Sequence, residues 1–159
     1  MNQAPGPHLP PLPPLLVVHD AADLRTAMDA AMSARLPRLG VLSAPSAGCF
    51  LGAPWWRALI ALAAASPAPP GGETLALIDI LDCGDAAGRA LEALRLGQRV
   101  LVLERACPQF PAVRERAASL GATILGERPP GLDLSERGAS RRIAAWLATA
   151  TAVEDRRIS

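Results

Sequence analysis

The chain of 159 residues contains no lysine and no tyrosine, and all 16 of its basic residues are arginine. Without lysine there is no P-loop lysine, no Schiff-base lysine and no lysine general base. Arginine replaces neither of the last two, because its guanidinium stays protonated. An excess of charge of either sign is also missing: 16 basic residues face 15 acidic ones, a net charge of +1. That balance argues against an electrostatic partner such as nucleic acid or an anionic membrane. Cysteine is sparse. Cys49, Cys83 and Cys107 form an odd set without CxxC spacing, which reads as reduced thiols rather than a disulfide framework. No apolar run reaches the roughly 20 residues of a membrane span. The first residues have no charged n-region or long apolar segment and do not read as a signal peptide, so the expected location is the cytoplasm. GxGxxG, Walker and GxSxG patterns are all absent, and no motif calls for a cofactor.

What is present is the composition of one folded domain, with half the residues hydrophobic and 19% charged. Alanine, proline, glycine and arginine are abundant, as in the coding of a GC-rich genome. Residues 1–14 hold six prolines and read as a semi-extended arm, for which a PxxP ligand of an SH3-like partner is the sharper alternative. Residues 15–150 form the domain, and 151–159 a polar tail.

Within the domain, short apolar runs alternate with helical patterns. Strands are expected at 15–18, 40–43, 74–81, 99–103 and 122–125. Helices follow each: one patterned by Leu24, Ala27, Met28, Ala31 and Met32; one from Pro54 to residue 65; and others at 86–96, 108–120 and 136–149, the last capped by Ser135. A Pro/Gly-rich connection is placed at 67–72. Five βα units imply a three-layer, flavodoxin-like or Rossmann-like α/β sandwich with a five-stranded, mostly parallel sheet. The favoured strand order is 2-1-3-4-5.

Such sheets bind ligands beyond the carboxyl ends of their strands. The polar residues there are His19 and Asp20, Ser43 and Ser46, then Asp82, Cys83 and Asp85. Glu104, Arg105, Cys107, Glu127 and Arg128 follow the later strands. His19, Asp20, Ser43, Ser46, Asp82, Cys83 and Asp85 are the candidate ligand-binding set. All three cysteines and His19 map to this edge. They would suit a zinc-like ion if three or four converged, but their spacing matches no zinc motif and no metal is assigned. Asp82 and Asp85 also suit a turn and a helix cap. Asp79 interrupts an apolar run and needs a partner if buried. Of the adjacent Trp55 and Trp56, about 100° apart on a helix, one is expected to be buried.

The βα succession, the acidic turn Asp82-Cys83-Gly84-Asp85 and the helix at 90–97 resemble a response-regulator receiver domain. That resemblance implies a flavodoxin-like order and a phosphoacceptor aspartate. However, strand one ends in His19-Asp20 rather than an acidic pair, and the lysine of such domains has no counterpart. The leading expectation is therefore a non-catalytic domain binding a small ligand or a partner protein at the C-terminal sheet edge. One alternative is a small hydrolase or lyase using His19 or Asp82 as acid/base. Another is a degenerate receiver-like or homo-oligomeric interaction module, with Trp55 or Trp56 at a subunit interface.

Overall fold

In the computed structural model, residues 11–65 and 75–155 are described. The arm before Pro11, the Pro/Gly connection at 67–72 and the last four residues lie outside them. The elements are β1 (Leu15–Val18), α1 (Ala21–Ser33), β2 (Arg38–Ser43), α2 (Ala47–Phe50), α3 (Gly52–Ala64), β3 (Ala76–Asp82), α4 (Ala87–Arg95), β4 (Val100–Val102), α5 (Phe110–Ser119), β5 (Thr123–Leu125), β6 (Leu132–Asp133) and α6 (Ala139–Asp155). The chain is an α/β protein with a parallel sheet flanked by helices, as its alternating pattern implied. No described helix is long and apolar enough to cross a membrane.

Among the described residues the sheet has six strands rather than five, in the order β5-β4-β3-β2-β1-β6, all parallel. The expected order 2-1-3-4-5 is thus corrected: β2 lies between β1 and β3, and the receiver-type adjacency of β1 with β3 is absent. Local packing favours the β1–β2 pairing. Leu15 lies over Gly40, where a Cβ would sit 2.2 Å from Leu15 Cδ2. Gly40 N donates to Pro14 O, extending the ladder.

From β1 to β5 the chain steps in one direction, so right-handed crossovers put successive helices on the same face. The core agrees. Leu16, Val18, Leu39, Val41, Leu81 and Leu101 pack with α1, α3, α4, α5 and α6 in one buried cluster. Small residues (Ala27, Ala31, Ala53, Ala90, Ala93 and Ala117) let the helices sit close to the sheet. Trp56 is fully buried there, and Trp55 only partly. Asp79 points to this face and finds its partners: Trp56 Nε1 and Gln98 Nε2 donate to its Oδ2 at 3.0 and 2.7 Å. The opposite face carries a second, smaller cluster: Leu15, Val17, Leu42, Ile80, Val100 and Val102, with Leu12, Ile78 and Leu125 against it. None of the described helices packs on it.

The missed strand explains that face. Between Leu125 and Leu132 the chain must pass from one edge of the sheet to the other, past four strands. Five steps of about 4.8 Å make roughly 24 Å, and seven residues fully extended reach about 25 Å. The connection is therefore taut and has no room for a helix. Travelling backwards, it must cross on the face opposite the helices. Its contacts follow that route: Arg105 N donates to Gly126 O, Arg128 reaches β2 and β3, and a Cβ on Gly131 would meet Val17 Cγ2 at 3.1 Å. Residues 126–131 thus form a strap across the C-terminal part of the sheet.

Candidate functional site

The seven candidate residues divide between the β1–α1 corner, which holds His19 and Asp20, and the ends of β2 and β3, which hold the other five. Asp20 is the N-cap of α1, its Oδ1 accepting from Ala22 N at 2.8 Å and Asp23 N at 2.9 Å. Asp23 Oδ2 in turn accepts from His19 N at 2.9 Å, a reciprocal cap that holds the β1–α1 corner. Ser46 sits in a left-handed conformation at φ 55 and makes no side-chain cap bond. It packs against Gly84, where a Cβ would lie 2.6 Å from Ser46 Oγ. Gly84 is itself left-handed at φ 52, so both shape and conformation require glycine there. Asp85 is exposed and does not cap α4, whose N-cap is Ala86 with no side-chain bond.

Ser43 and Asp82 do meet, and a third residue holds them. Asp82 N donates to Ser43 Oγ at 2.9 Å, and Gly84 N donates to Asp82 Oδ1 at 2.8 Å, closing the expected turn. Arg128, from the strap, donates through Nη1 to Asp82 Oδ2 at 2.5 Å and through Nη2 to Ser43 O at 2.7 Å. Ser43 and Asp82 are buried, at 0% and 4% exposure. The guanidinium thus clamps the strap to β2 and β3.

Cys49 and Cys83 are neighbours, whereas the Cys107 thiol bonds within its own turn. Cys49 Sγ donates to Cys83 O at 3.1 Å, and Cys107 Sγ to Gln109 Oε1 at 3.3 Å. Cys83 lies under Gly48, where a Cβ would be 2.8 Å from its sulfur. Burial, then the neighbouring Cys49 and Asp82, push its thiol from 9.0 up to about 12. Burial and the charges of Asp85 and Asp82 also raise Cys49. Neither thiol is poised as a thiolate. Among the described residues, no three His, Cys, Asp or Glu side chains gather as a metal site would require.

His19 turns away from Asp82. Its Nε2 is 2.8 Å from Asp133 Oδ1 on β6. Ser135 donates to the same oxygen through its N at 2.9 Å and its Oγ at 2.7 Å. Ser135 therefore closes a turn on Asp133 and does not cap α6, which begins only after Gly138 at φ 77. Burial raises the Asp133 carboxyl, but the bonds from Ser135 and His19 outweigh it and hold the group below its ordinary value.

Beside Asp133 a groove of about 390 Å³ opens between β6 and α6, lined by Leu132, Asp133, Glu136, Arg142, Trp146 and Thr149 among others. Arg142 Nη2 donates to Glu136 Oε2 at 2.6 Å. Trp146 Nε1 donates to Leu15 O at 2.9 Å, fixing α6 to β1. Of these lining residues, none belongs to the candidate set. Leu132-Asp133-Leu134 does show the apolar–polar–apolar alternation of a strand, the one local sign that pointed here. No protein-family model matches the chain, and no curated protein matches its sequence.

Proposed function

We propose that this chain is a non-catalytic binding domain that takes a small molecule in the groove between its edge strand β6 and helix α6. The carrying observation is the groove between β6 and α6, whose volume is at the lower end of the roughly 300–1,000 Å³ of small-ligand sites. The engagement of the candidate nucleophiles agrees: Ser43 Oγ accepts from Asp82 N, the Asp82 carboxylate is paired with Arg128, and burial holds the Cys83 thiol protonated. Three free cysteines suit a reducing, cytoplasmic setting.

The test is an NMR titration of the full chain with a fragment set of amines, alcohols and carboxylates, following the Trp146 indole N–H. The expected result is a saturable shift of Trp146 that Ala145→Trp, which fills the groove, abolishes. A set that leaves Trp146 unmoved, or a shift that survives Ala145→Trp, overturns the reading.

One observation favours an acid/base alternative. His19 is oriented by Asp133 and is about one-third exposed, as a general base requires. Turnover of an ester or a β-hydroxy acid that disappears in His19→Ala would select that reading instead.

A further inference from the structure

The groove has a polarity that narrows its ligand. Three donors converge on Asp133 Oδ1: His19 Nε2, Ser135 N and Ser135 Oγ. Asp133 Oδ2 accepts no hydrogen bond from the described residues. Asp133 is thus an oriented carboxylate on the groove wall, with one oxygen anchored by described residues and the other left to solvent or a ligand. The other charged lining residues, Glu136 and Arg142, bond to each other at 2.6 Å. That pairing leaves the lining with the formal negative charge of Asp133. Trp146 adds a ring whose only donor is already engaged by Leu15 O. It offers the groove an aromatic surface, which attracts cations through its quadrupole. Leu132, Ala145 and Gly131 complete an apolar floor.

An anion here would face the Asp133 carboxylate, and a neutral ligand without a donor would leave Oδ2 unpaired. A cation on an apolar body satisfies both features. Resting on the binding reading above, we infer that the groove selects an organic ammonium ion carried on an aromatic or aliphatic body. Its N–H groups meet Asp133 Oδ2, and its body lies against Trp146.

The probes are benzylamine, benzyl alcohol and benzoate, which share one ring and differ in charge at neutral pH. Each is titrated into the full chain while the Trp146 indole resonance, assigned through Trp146→Phe, is followed. Benzylamine is expected to bind at least about tenfold more tightly than benzyl alcohol, the preference a carboxylate and an indole face together supply. Benzoate is expected to bind weakest. Asp133→Asn is expected to abolish the preference, so that benzylamine and benzyl alcohol bind that variant equally. Backbone amide shifts of α6, read in the same spectra without ligand, show that the groove is intact in that variant. Equal binding of all three probes, or a preference for benzoate, overturns the ammonium inference but leaves the groove as a binding site. A preference for benzylamine that persists in Asp133→Asn also overturns it. If none of the three moves Trp146, the ammonium inference and the binding reading fall together.

Discussion

Two carboxylates stand at the C-terminal edge of the sheet, each with a basic partner, and the structure uses them in opposite ways. Asp82 on β3 is paired with Arg128 at 2.5 Å, and its side chain is 5% exposed. Asp133 on β6 is paired with His19 at 2.8 Å, and its side chain is 26% exposed. At Asp82 both oxygens are engaged, one by Gly84 N and one by Arg128. At Asp133 all the donors fall on a single oxygen. The first arrangement fastens the strap across the sheet, and the second leaves an acceptor beside a groove. Residue type and distance to the partner barely distinguish the two. Burial and the number of engaged lone pairs separate a fastening from a carboxylate left open to a groove.

The largest expected difference is in thiol chemistry beside the fastening. Cys83 borders Asp82 and is raised from 9.0 to about 12, so at pH 8 its thiolate is about a thousandfold rarer than that of an ordinary cysteine. Alkylation with iodoacetamide, read by mass spectrometry, should mark Cys49 well before Cys83. Comparable rates at the two sites would mean that this end of the sheet is open.

Next comes stability. Arg128→Ala leaves the Asp82 carboxylate buried and uncompensated, which should cost about 3–5 kcal/mol in urea unfolding. Replacing both partners, Arg128→Met with Asp82→Leu, should recover most of that loss. A single-variant loss below about 1 kcal/mol would show that the strap is held by its apolar contacts instead.

Asp133→Asn sharpens the other side of the comparison. Being partly exposed, the His19–Asp133 pair should change stability by no more than about 1 kcal/mol. The pH dependence carries a definite sign. The folded carboxyl is held below its usual 3.8. Its contribution is therefore complete above that value and lost as pH falls through the lower folded one. Thermal midpoints of wild type should drop more steeply below about pH 4 than those of Asp133→Asn. Parallel acid limbs would remove Asp133 as a preferentially ionised group in the fold.

Trp56→Phe gives a reference away from the edge. It removes one donor to Asp79 while Gln98 still holds the same oxygen. The expected loss is about 1 kcal/mol, the scale of one hydrogen bond, with no change in groove binding. A change in groove binding would mean that the helix layer and the edge are coupled.

Much of this architecture was legible in the residues. Leu15–Val18, the run ending at Leu81 and the helical spacing of Leu24, Ala27 and Ala31 each announce an element through apolar periodicity, a local property. The burial of one of the two adjacent tryptophans and the need of Asp79 for a partner follow from equally local reasoning. At the edge, Asp82 closes its turn as its position suggests. Other features were not legible. The two-residue β6 hides in a proline-rich stretch because so short a strand has almost no pattern of its own. Asp133 and Trp146 are separated from His19 by more than a hundred residues, and their meeting depends on which strand lies next to β1.

Taken alone, the sequence determined the alternation of strands and helices, the polar residues at the strand ends and the exclusion of all lysine chemistry. These depend on neighbours along the chain and on residue type. Tertiary structure alone decided that β2 separates β1 from β3 and that the described helices share one face. It also decided that Arg128 closes over Ser43 and Asp82, and that Asp133 stands beside a groove. Strand neighbours are chosen by packing between segments far apart in the chain, such as Leu15 over Gly40, and by how far a connection can stretch, as the strap from Leu125 to Leu132 does. The two carboxylates could be told apart only once that choice had given one a guanidinium and the other an open wall.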